Sequence, residues 1–86
     1  MDRWEVYMIQ TTSGKLYTGI TTDLDRRWAD HQSGRKGARF FRISSPQRIV
    51  FRESHPNRSE ATRREIAIKK LTRSQKLELV NHGLGL

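Results

Sequence analysis

The chain contains no cysteine in its 86 residues, so neither a disulfide framework nor a cysteine-based zinc site can hold a small fold together. Hydrophobic residues make up only 34% of it, which predicts one domain with a small core, spanning residues 1–86. The absence of cysteine suits a reducing compartment. No apolar stretch reaches the roughly 20 residues that cross a bilayer. We therefore predict a soluble protein of the cytoplasm.

The charge balance points to a polyanionic partner. There are 17 Lys+Arg against 9 Asp+Glu, for a net charge of +8, and phosphates attract such a surface and release counterions when they bind it. Acidic membrane surfaces would suit the same charge. We predict a nucleic acid as the partner and no membrane partner, and the oligomeric state stays open.

The first third of the chain predicts a β-hairpin followed by a helix. Residues 4–10 are apolar at both parities, which is typical of an interior strand, and residues 15–21 are aromatic and β-branched, with Ser13 and Gly14 as the turn between them. The hydrophobic period then changes. The positions of Leu24, Trp28 and His31 indicate a helix that Thr22 or Asp23 can cap.

The rest of the chain predicts a loop, one strand and two helices. Residues 32–46 indicate a loop with one helical turn near 38–41, and residues 47–53 a short strand, after which the sequence SHPN breaks the chain. A helix starts at Asn57 or Ser59, and TRSQ starts another that Gly83 stops. The apolar positions of the first of these helices are Ala61, Ile66, Ile68 and Leu71. The order ββαβαα predicts an α+β fold in which helices flank a small three-stranded antiparallel sheet.

Two tyrosines are the first candidates for chemistry. Tyr7 and Tyr17 fall on the two paired strands and can share a face of the sheet. Buried phenols are most often core residues. Hydrolysis of a phosphodiester, however, needs a group that takes a proton from water and a donor to the phosphate, and paired phenols beside basic residues can supply both.

The first helix supplies two more candidates. Arg27 and His31 are four residues apart on one helix face, whereas Arg26 points about 100° away from Arg27. A solvated basic face is the ordinary interpretation of such a pair. In the alternative, Arg27 presents its donors to a phosphate oxygen while His31 supports or protonates nearby.

Glu65 is the candidate metal ligand. It stands four residues after Ala61 in a basic stretch, and an exposed pair with Lys69 is the commoner arrangement for such a glutamate. If its carboxylate instead faces the sheet beside the tyrosines, it can bind Mg²⁺, which accepts one carboxylate together with waters and substrate phosphate.

These residues together resemble a known family. Tyr7 in VYM, Tyr17 in LYTGIT, Arg27 ten residues later, His31 and Glu65 follow the order of the GIY-YIG nuclease superfamily, in its small single-domain branch. The resemblance covers residues 4 to about 80. It implies a metal-dependent endonuclease that cleaves DNA, structure-selective or nonspecific, in DNA repair or processing.

The resemblance also implies roles for the five residues. One of Tyr7 and Tyr17 is the general base and the other a hydrogen-bond support, and we favour Tyr7 as the base. Arg27 stabilises charge on the scissile phosphate with the help of His31, and Glu65 holds one divalent cation, Mg²⁺ or Mn²⁺. Gly19 allows a close backbone approach.

The sequence departs from the family pattern at a few places. Val6 and Met8 flank the first tyrosine, Thr18 replaces an isoleucine, and Lys76 stands near a position that is asparagine in many relatives. A basic nucleic-acid-binding module with little or no turnover is therefore the alternative function, and RNA is the alternative substrate to the preferred DNA. We expect phosphate contacts from two basic segments: Arg35, Lys36, Arg39 and Arg42 in the loop, and Arg58, Lys69 and Lys70 in the helix.

Overall fold

The computed structural model describes residues 3–34, 39–42 and 44–83. It confirms the predicted α+β fold and its ββαβαα order. The elements, in chain order, are β1 (Trp4–Thr11), β2 (Leu16–Thr21), α1 (Leu24–Ser33), a short 3₁₀ helix (Arg39–Arg42), β3 (Pro46–His55), α2 (Arg58–Lys69) and α3 (Arg73–Gly83).

The sheet is antiparallel with β1 in the centre, in the order β2-β1-β3. Both faces of β1 are packed against protein, one in each of two cores, which explains why β1 is apolar at both parities. The hairpin register pairs Tyr7 with Gly19 and Ile9 with Tyr17. Paired residues point to the same side of a sheet, so both tyrosines lie on one face.

Each face of the sheet carries its own core. One face, which we call the site face, holds Tyr7, Ile9, Leu24 and Phe41, with Tyr17, Trp28, Phe40 and Ile49 packed against them. The opposite face holds Val6, Met8, Val50, Phe51, Ala61 and Ile68. Helix α1 and the 3₁₀ helix therefore cover the site face, and α2 and α3 cover the other.

The predicted helix starts are found with definite capping residues. The side chain of Asp23 accepts a hydrogen bond from the Arg26 N–H, and that of Asn57 accepts one from the Glu60 N–H. These caps resolve both alternatives in the sequence, because a side-chain oxygen at the cap satisfies one of the free donors of the first turn. At α3, Thr72 and Gln75 cap each other reciprocally.

One expectation about this half of the chain was wrong, and one apolar residue lies exposed. The third strand continues through His55, because its register with β1 runs on to Trp4 and because His55 binds the Glu53 carboxylate at 2.8 Å. Ile66 is 49% exposed. It lies about 140° around α2 from the buried Ala61, so it points away from the core. Near 38–41, the predicted helical turn appears as the 3₁₀ helix that begins at residue 39.

In the part of the chain that is described, no helix combines the length and the apolar character needed to cross a membrane.

Candidate active site

The centre of the site is a hydrogen bond between two buried side chains. The phenol oxygen of Tyr7 lies 2.8 Å from Nε2 of His31, and each residue is only 1% exposed. The two residues come from β1 and from the last turns of α1. The hairpin and the α1 cap together bring residues that are 24 positions apart in the chain to this contact.

Burial sets the protonation of this pair. It raises the pKa of Tyr7 to about 12, with a further rise from Tyr17, while the charge of Arg27 and a hydrogen bond from it lower that pKa in part. Burial, with help from Arg27, lowers the pKa of His31 to about 4. Near pH 7 both groups are neutral. His31 is therefore no proton donor at neutral pH, which disfavours the protonating role offered by the sequence.

The protonation of His31 links stability to pH. The folded chain keeps this imidazole neutral, whereas in the unfolded chain it binds a proton below its ordinary pKa of 6.5. The unfolded state then holds more protons between about pH 6.5 and 4, so the free energy of unfolding should fall on acidification through that window, by at most ~1.4 kcal/mol per pH unit from this group. Urea unfolding at several pH values measures the slope.

The matched variants for this slope are His31→Gln and His82→Gln. The first should lose the contribution between pH 6.5 and 4, and the second should keep it because His82 lies exposed on α3. A His31→Gln protein with the same pH dependence as the parent would contradict the buried neutral imidazole.

Four aromatic rings lie next to the ring of Tyr17, and we call them the aromatic wall: those of Tyr7, His31, Phe40 and Phe41. The ring of Tyr17 lies 6.3 Å from the ring of Tyr7 and 5.4 Å from that of His31, between centroids. The rings of Phe40 and Phe41 are 5.4 and 4.9 Å from Tyr17. These two phenylalanines were missed in the sequence, where they fall in a stretch without a clear period. Their adjacency in a basic loop was the one available signal.

Gly19 makes room for the Tyr7 phenol. A Cβ at this position would lie 2.6 Å from the phenol oxygen and 2.7 Å from Cζ. No ordinary side-chain carbon packs that close. The close approach expected at Gly19 is therefore observed, and it is made to the tyrosine on the neighbouring strand.

Gly19→Ala should displace the phenol from His31. We expect cleavage to fall at least about 10-fold, because a shift of about 1 Å in a positioned group has effects of that order or more, and the free energy of unfolding to fall by roughly 1–3 kcal/mol from overpacking. Gly34→Ala is the control. Gly34 has φ +74 with nothing near its Cβ position, so that variant strains only the end of α1. Equal losses of cleavage in both variants would show that the space left for the Tyr7 phenol at Gly19 has no specific role.

The two adjacent arginines of α1 differ as the sequence predicts. Arg26 is exposed, whereas the Arg27 side chain is 33% exposed and acts on the Tyr7 phenol by charge and by a hydrogen bond. Nη1 of Arg27 also lies 3.9 Å from a carboxylate oxygen of Asp30. Arg27 thus borders the buried pair from the solvent side, and Asp30 is a neighbour that the sequence pattern did not indicate.

Glu65 forms the pair with Lys69, which is the first of the two arrangements considered for it. Its carboxylate pairs with the Lys69 ammonium at 3.2 Å, yet its side chain is only 19% exposed. It also raises the pKa of Tyr7, as the smallest of the five influences on that phenol. Glu65 lies about 40° around α2 from the buried Ala61, so its side chain is turned toward the sheet, and its effect on the pKa of Tyr7 is what relates its charge to the site.

The donor set at Glu65 fits a hard cation that keeps most of its waters. Among the described residues there is no cluster of three or more His, Cys, Asp or Glu that could hold a metal ion. Zn²⁺ and Ca²⁺ sites are usually built from several protein ligands, whereas Mg²⁺ binds through one or two carboxylates with waters and substrate phosphates. The nearby Lys69 ammonium shows that this carboxylate already accepts a positive partner.

The predicted phosphate-binding residues are only partly described. Arg35 and Lys36 lie outside the described residues, Arg39 is exposed, and Arg42 lies in the 3₁₀ helix. On α2, the Arg58 guanidinium stands over the Trp4 ring at 5.6 Å. Lys70, just after α2, is exposed.

The sequence pattern of the GIY-YIG catalytic domain matches residues 3–78. That match includes all five predicted catalytic residues, which are Tyr7, Tyr17, Arg27, His31 and Glu65. The chain therefore belongs to the GIY-YIG nuclease family.

Similar proteins agree with this assignment. UPF0213 protein DP2720 of Desulfotalea psychrophila is 49% identical over 77 residues, which are 90% of this chain and 70% of that protein. UPF0213 protein YhbQ of Escherichia coli K12 is 47% identical over 85 residues, 99% of this chain and 84% of that protein. The solution NMR structure of UPF0213 protein BH0048 from Bacillus halodurans has 41% identity and a TM-score of 0.61, covering 94% of this chain and 86% of that one.

Proposed function

We propose that this chain is a metal-dependent endonuclease that hydrolyses phosphodiester bonds in DNA, as a single catalytic domain over residues 1–86. The observation that carries the proposal is the buried contact of 2.8 Å between the Tyr7 phenol and His31, with Arg27 acting on the same phenol. A structure-selective or nonspecific cut, in DNA repair or processing in the cytoplasm, is the corresponding role.

Tyr7 acts as a base through His31 in this proposal. With a pKa of about 12 the phenol is protonated at neutral pH, so it can take a proton from water only while it releases its own. As the water oxygen bonds to phosphorus, the bond from phosphorus to the leaving oxygen breaks, and that oxygen takes a proton from solvent. The proton of the attacking water passes to the phenol oxygen while the phenol proton passes to Nε2 of the neutral His31. The low pKa of His31, about 4, then favours loss of that proton back through the phenol to solvent, which restores the neutral pair.

Arg27 is the phosphate contact in this mechanism. Its guanidinium is always charged and offers several N–H donors. Because it borders the buried pair and stays one-third exposed, a phosphate placed over Tyr7 can reach it. Its interaction strengthens as negative charge develops on the phosphate oxygens.

Glu65 would hold the metal at the edge of the site. When bound there, Mg²⁺ or Mn²⁺ would polarise the phosphate and stabilise the leaving oxygen. The Glu65 carboxylate contributes the negative charge that the cation needs, and Lys69 must give up its pair with that carboxylate.

A cleavage assay tests the function directly. The chain is incubated with labelled single-stranded, duplex, flapped and branched DNA, and with the matching RNA, in Mg²⁺ or Mn²⁺ and in EDTA. We expect cleavage of DNA that depends on the metal. Binding without any metal-dependent cleavage would favour the alternative, a basic nucleic-acid-binding module, and preference for RNA would overturn the choice of DNA.

Arg27→Ala and Arg26→Ala separate a catalytic contact from general charge. Arg27→Ala should slow cleavage by about 10²-fold or more, because it removes a donor that acts on the developing charge. Arg26→Ala should leave the rate at saturating DNA nearly unchanged and only weaken binding, as added salt does. Single-turnover rates at several salt concentrations measure both effects.

Thermal melting provides the folding control for these two variants. Neither side chain is buried, so both proteins should melt within a few degrees of the parent. Equal losses of rate in the two variants would mean that the arginines act together as a basic patch, and the binding-module function would then be the better account.

A further inference from the structure

A cavity lies beside the aromatic wall, at the Phe40 ring. It has a volume of about 260 Å³ and is lined by Lys15, Leu16, Phe40, Arg73 and Lys76. Ligand pockets for larger molecules occupy roughly 300–1,000 Å³, so this one suits a small group. It is built where the start of β2, the 3₁₀ helix and the start of α3 meet.

The cavity is positively charged, and no carboxylate of its lining balances that charge. Three of its five lining residues are cations and none is a carboxylate. Within the described ranges 3–34, 39–42 and 44–83, Lys15, Arg73 and Lys76 form no ion pair. The first turn of α3 has no acidic residue, although the positive end of a helix dipole favours one there. These features favour an anion in the cavity.

The cavity also presents an aromatic ring that is held in place. Phe40 is half-buried, and its ring lies 5.4 Å from the ring of Tyr17 and 5.5 Å from that of Phe41. A ring packed on one side and bordering a cavity on the other is pre-ordered for stacking. The Arg73 guanidinium is likewise fixed, since it donates to the Gly14 carbonyl at 2.8 Å.

We infer, on the basis of the proposed nuclease function, that this cavity binds one unpaired nucleotide of the substrate strand. The base stacks on Phe40, and the flanking phosphates contact Lys15, Arg73 and Lys76. An aromatic ring inside a basic cavity suits single-stranded nucleic acid, because the face of a base in a duplex is covered by its neighbours and reaches a pocket only when it is flipped out.

The position of the cavity relative to the site gives this nucleotide a function. Phe40 contacts Tyr17, and Tyr17 contacts Tyr7, so the Phe40 ring that lines the cavity is separated from the Tyr7 ring by one aromatic ring. A nucleotide held there would hold a phosphate a short distance along the same strand over Tyr7 and Arg27. The preferred substrate is then a strand with unpaired nucleotides beside the cut.

The test compares two oligonucleotides that differ only in their bases. One is a labelled single strand of about eight thymidines, and the other has the same length and phosphates but is abasic throughout. Binding is measured by fluorescence anisotropy in EDTA, where cleavage is suppressed. We expect the parent to bind the thymidine strand at least about 5-fold more tightly, as stacking of one base supplies.

Phe40 variants assign that difference to the cavity. Phe40→Leu keeps apolar bulk and should bring the affinity ratio close to one, while Phe40→Trp should preserve it. Lys76→Gln should weaken both oligonucleotides by a similar factor, more than Arg48→Gln, an equal charge change on the exposed surface of β3. In the parent itself, the ring protons of Phe40 should shift upfield in NMR spectra with the thymidine strand and not with the abasic one.

A ratio near one in the parent, an unchanged ratio in folded Phe40→Leu, or Phe40 ring protons that do not respond would each overturn the nucleotide site. Metal-dependent cleavage of DNA would in that case leave the proposed function standing. Absence of binding to both oligonucleotides together with absence of cleavage would overturn the proposed function and the nucleotide site at once.

Discussion

Glu65→Gln should reduce metal-dependent cleavage to background, because it removes the carboxylate proposed to hold the metal. The substitution keeps the size of the side chain and removes the negative charge at the edge of the site. DNA binding should stay the same or become tighter, since repulsion of the phosphates falls and Lys69, now 3.2 Å from the carboxylate, is released. Cleavage rates at increasing Mn²⁺, and Mn²⁺ binding followed by electron paramagnetic resonance, provide two independent readouts.

Glu60→Gln is the matched control for that experiment. Glu60 lies on the same helix, and its side chain is 50% exposed and pairs with Arg63 at 3.9 Å. It therefore reports the effect of removing one negative charge from α2 away from the site. If Glu65→Gln cuts as fast as the parent, or binds Mn²⁺ as well as Glu60→Gln does, the metal is held elsewhere.

Tyr7→Phe is expected to slow cleavage by about 10²–10⁴-fold, the usual contribution of a positioned acid or base. The ring stays in place and only the oxygen is lost. Nε2 of His31 then loses its buried partner, which should lower the free energy of unfolding by roughly 1–3 kcal/mol. Single-turnover cleavage and urea unfolding measure the two effects separately.

Tyr17→Phe decides which phenol is the base. Tyr17 lies half-buried on β2, and removal of its oxygen should have a smaller effect on the rate than Tyr7→Phe. A parent-like Tyr7→Phe beside an inactive Tyr17→Phe would reverse the assignment. His31→Gln should resemble Tyr7→Phe in rate if the two side chains move one proton between them.

The sequence was most informative where the pattern of apolar residues was typical of one kind of element. Residues 4–10, apolar at both parities, correctly predicted the central strand, and the hairpin placed Tyr7 and Tyr17 on one face. The helix starts were predictable because a single polar side chain satisfies a local need at Asp23 and Asn57.

The unpredicted parts depend on contacts between distant segments. The bond from Tyr7 to His31 joins positions that are 24 residues apart, and its consequences for both pKa values follow from burial that no local pattern encodes. Phe40 and Phe41 fall in a stretch whose period is broken by glycine and arginine. Ile66 is one of the apolar positions that indicate α2, although its helical angle turns it toward solvent.

The position of Tyr7 on the central strand has a consequence for how activity is lost. Local opening of a protein starts at frayed ends and exposed segments, and the most protected amides belong to core strands. The phenol is borne by β1, which pairs with both other strands and lies between two cores. Fluctuations that loosen the helices bearing Arg27 or Glu65 can thus interrupt the proposed cleavage reversibly, whereas thermal motion displaces the Tyr7 backbone only when the central strand itself opens.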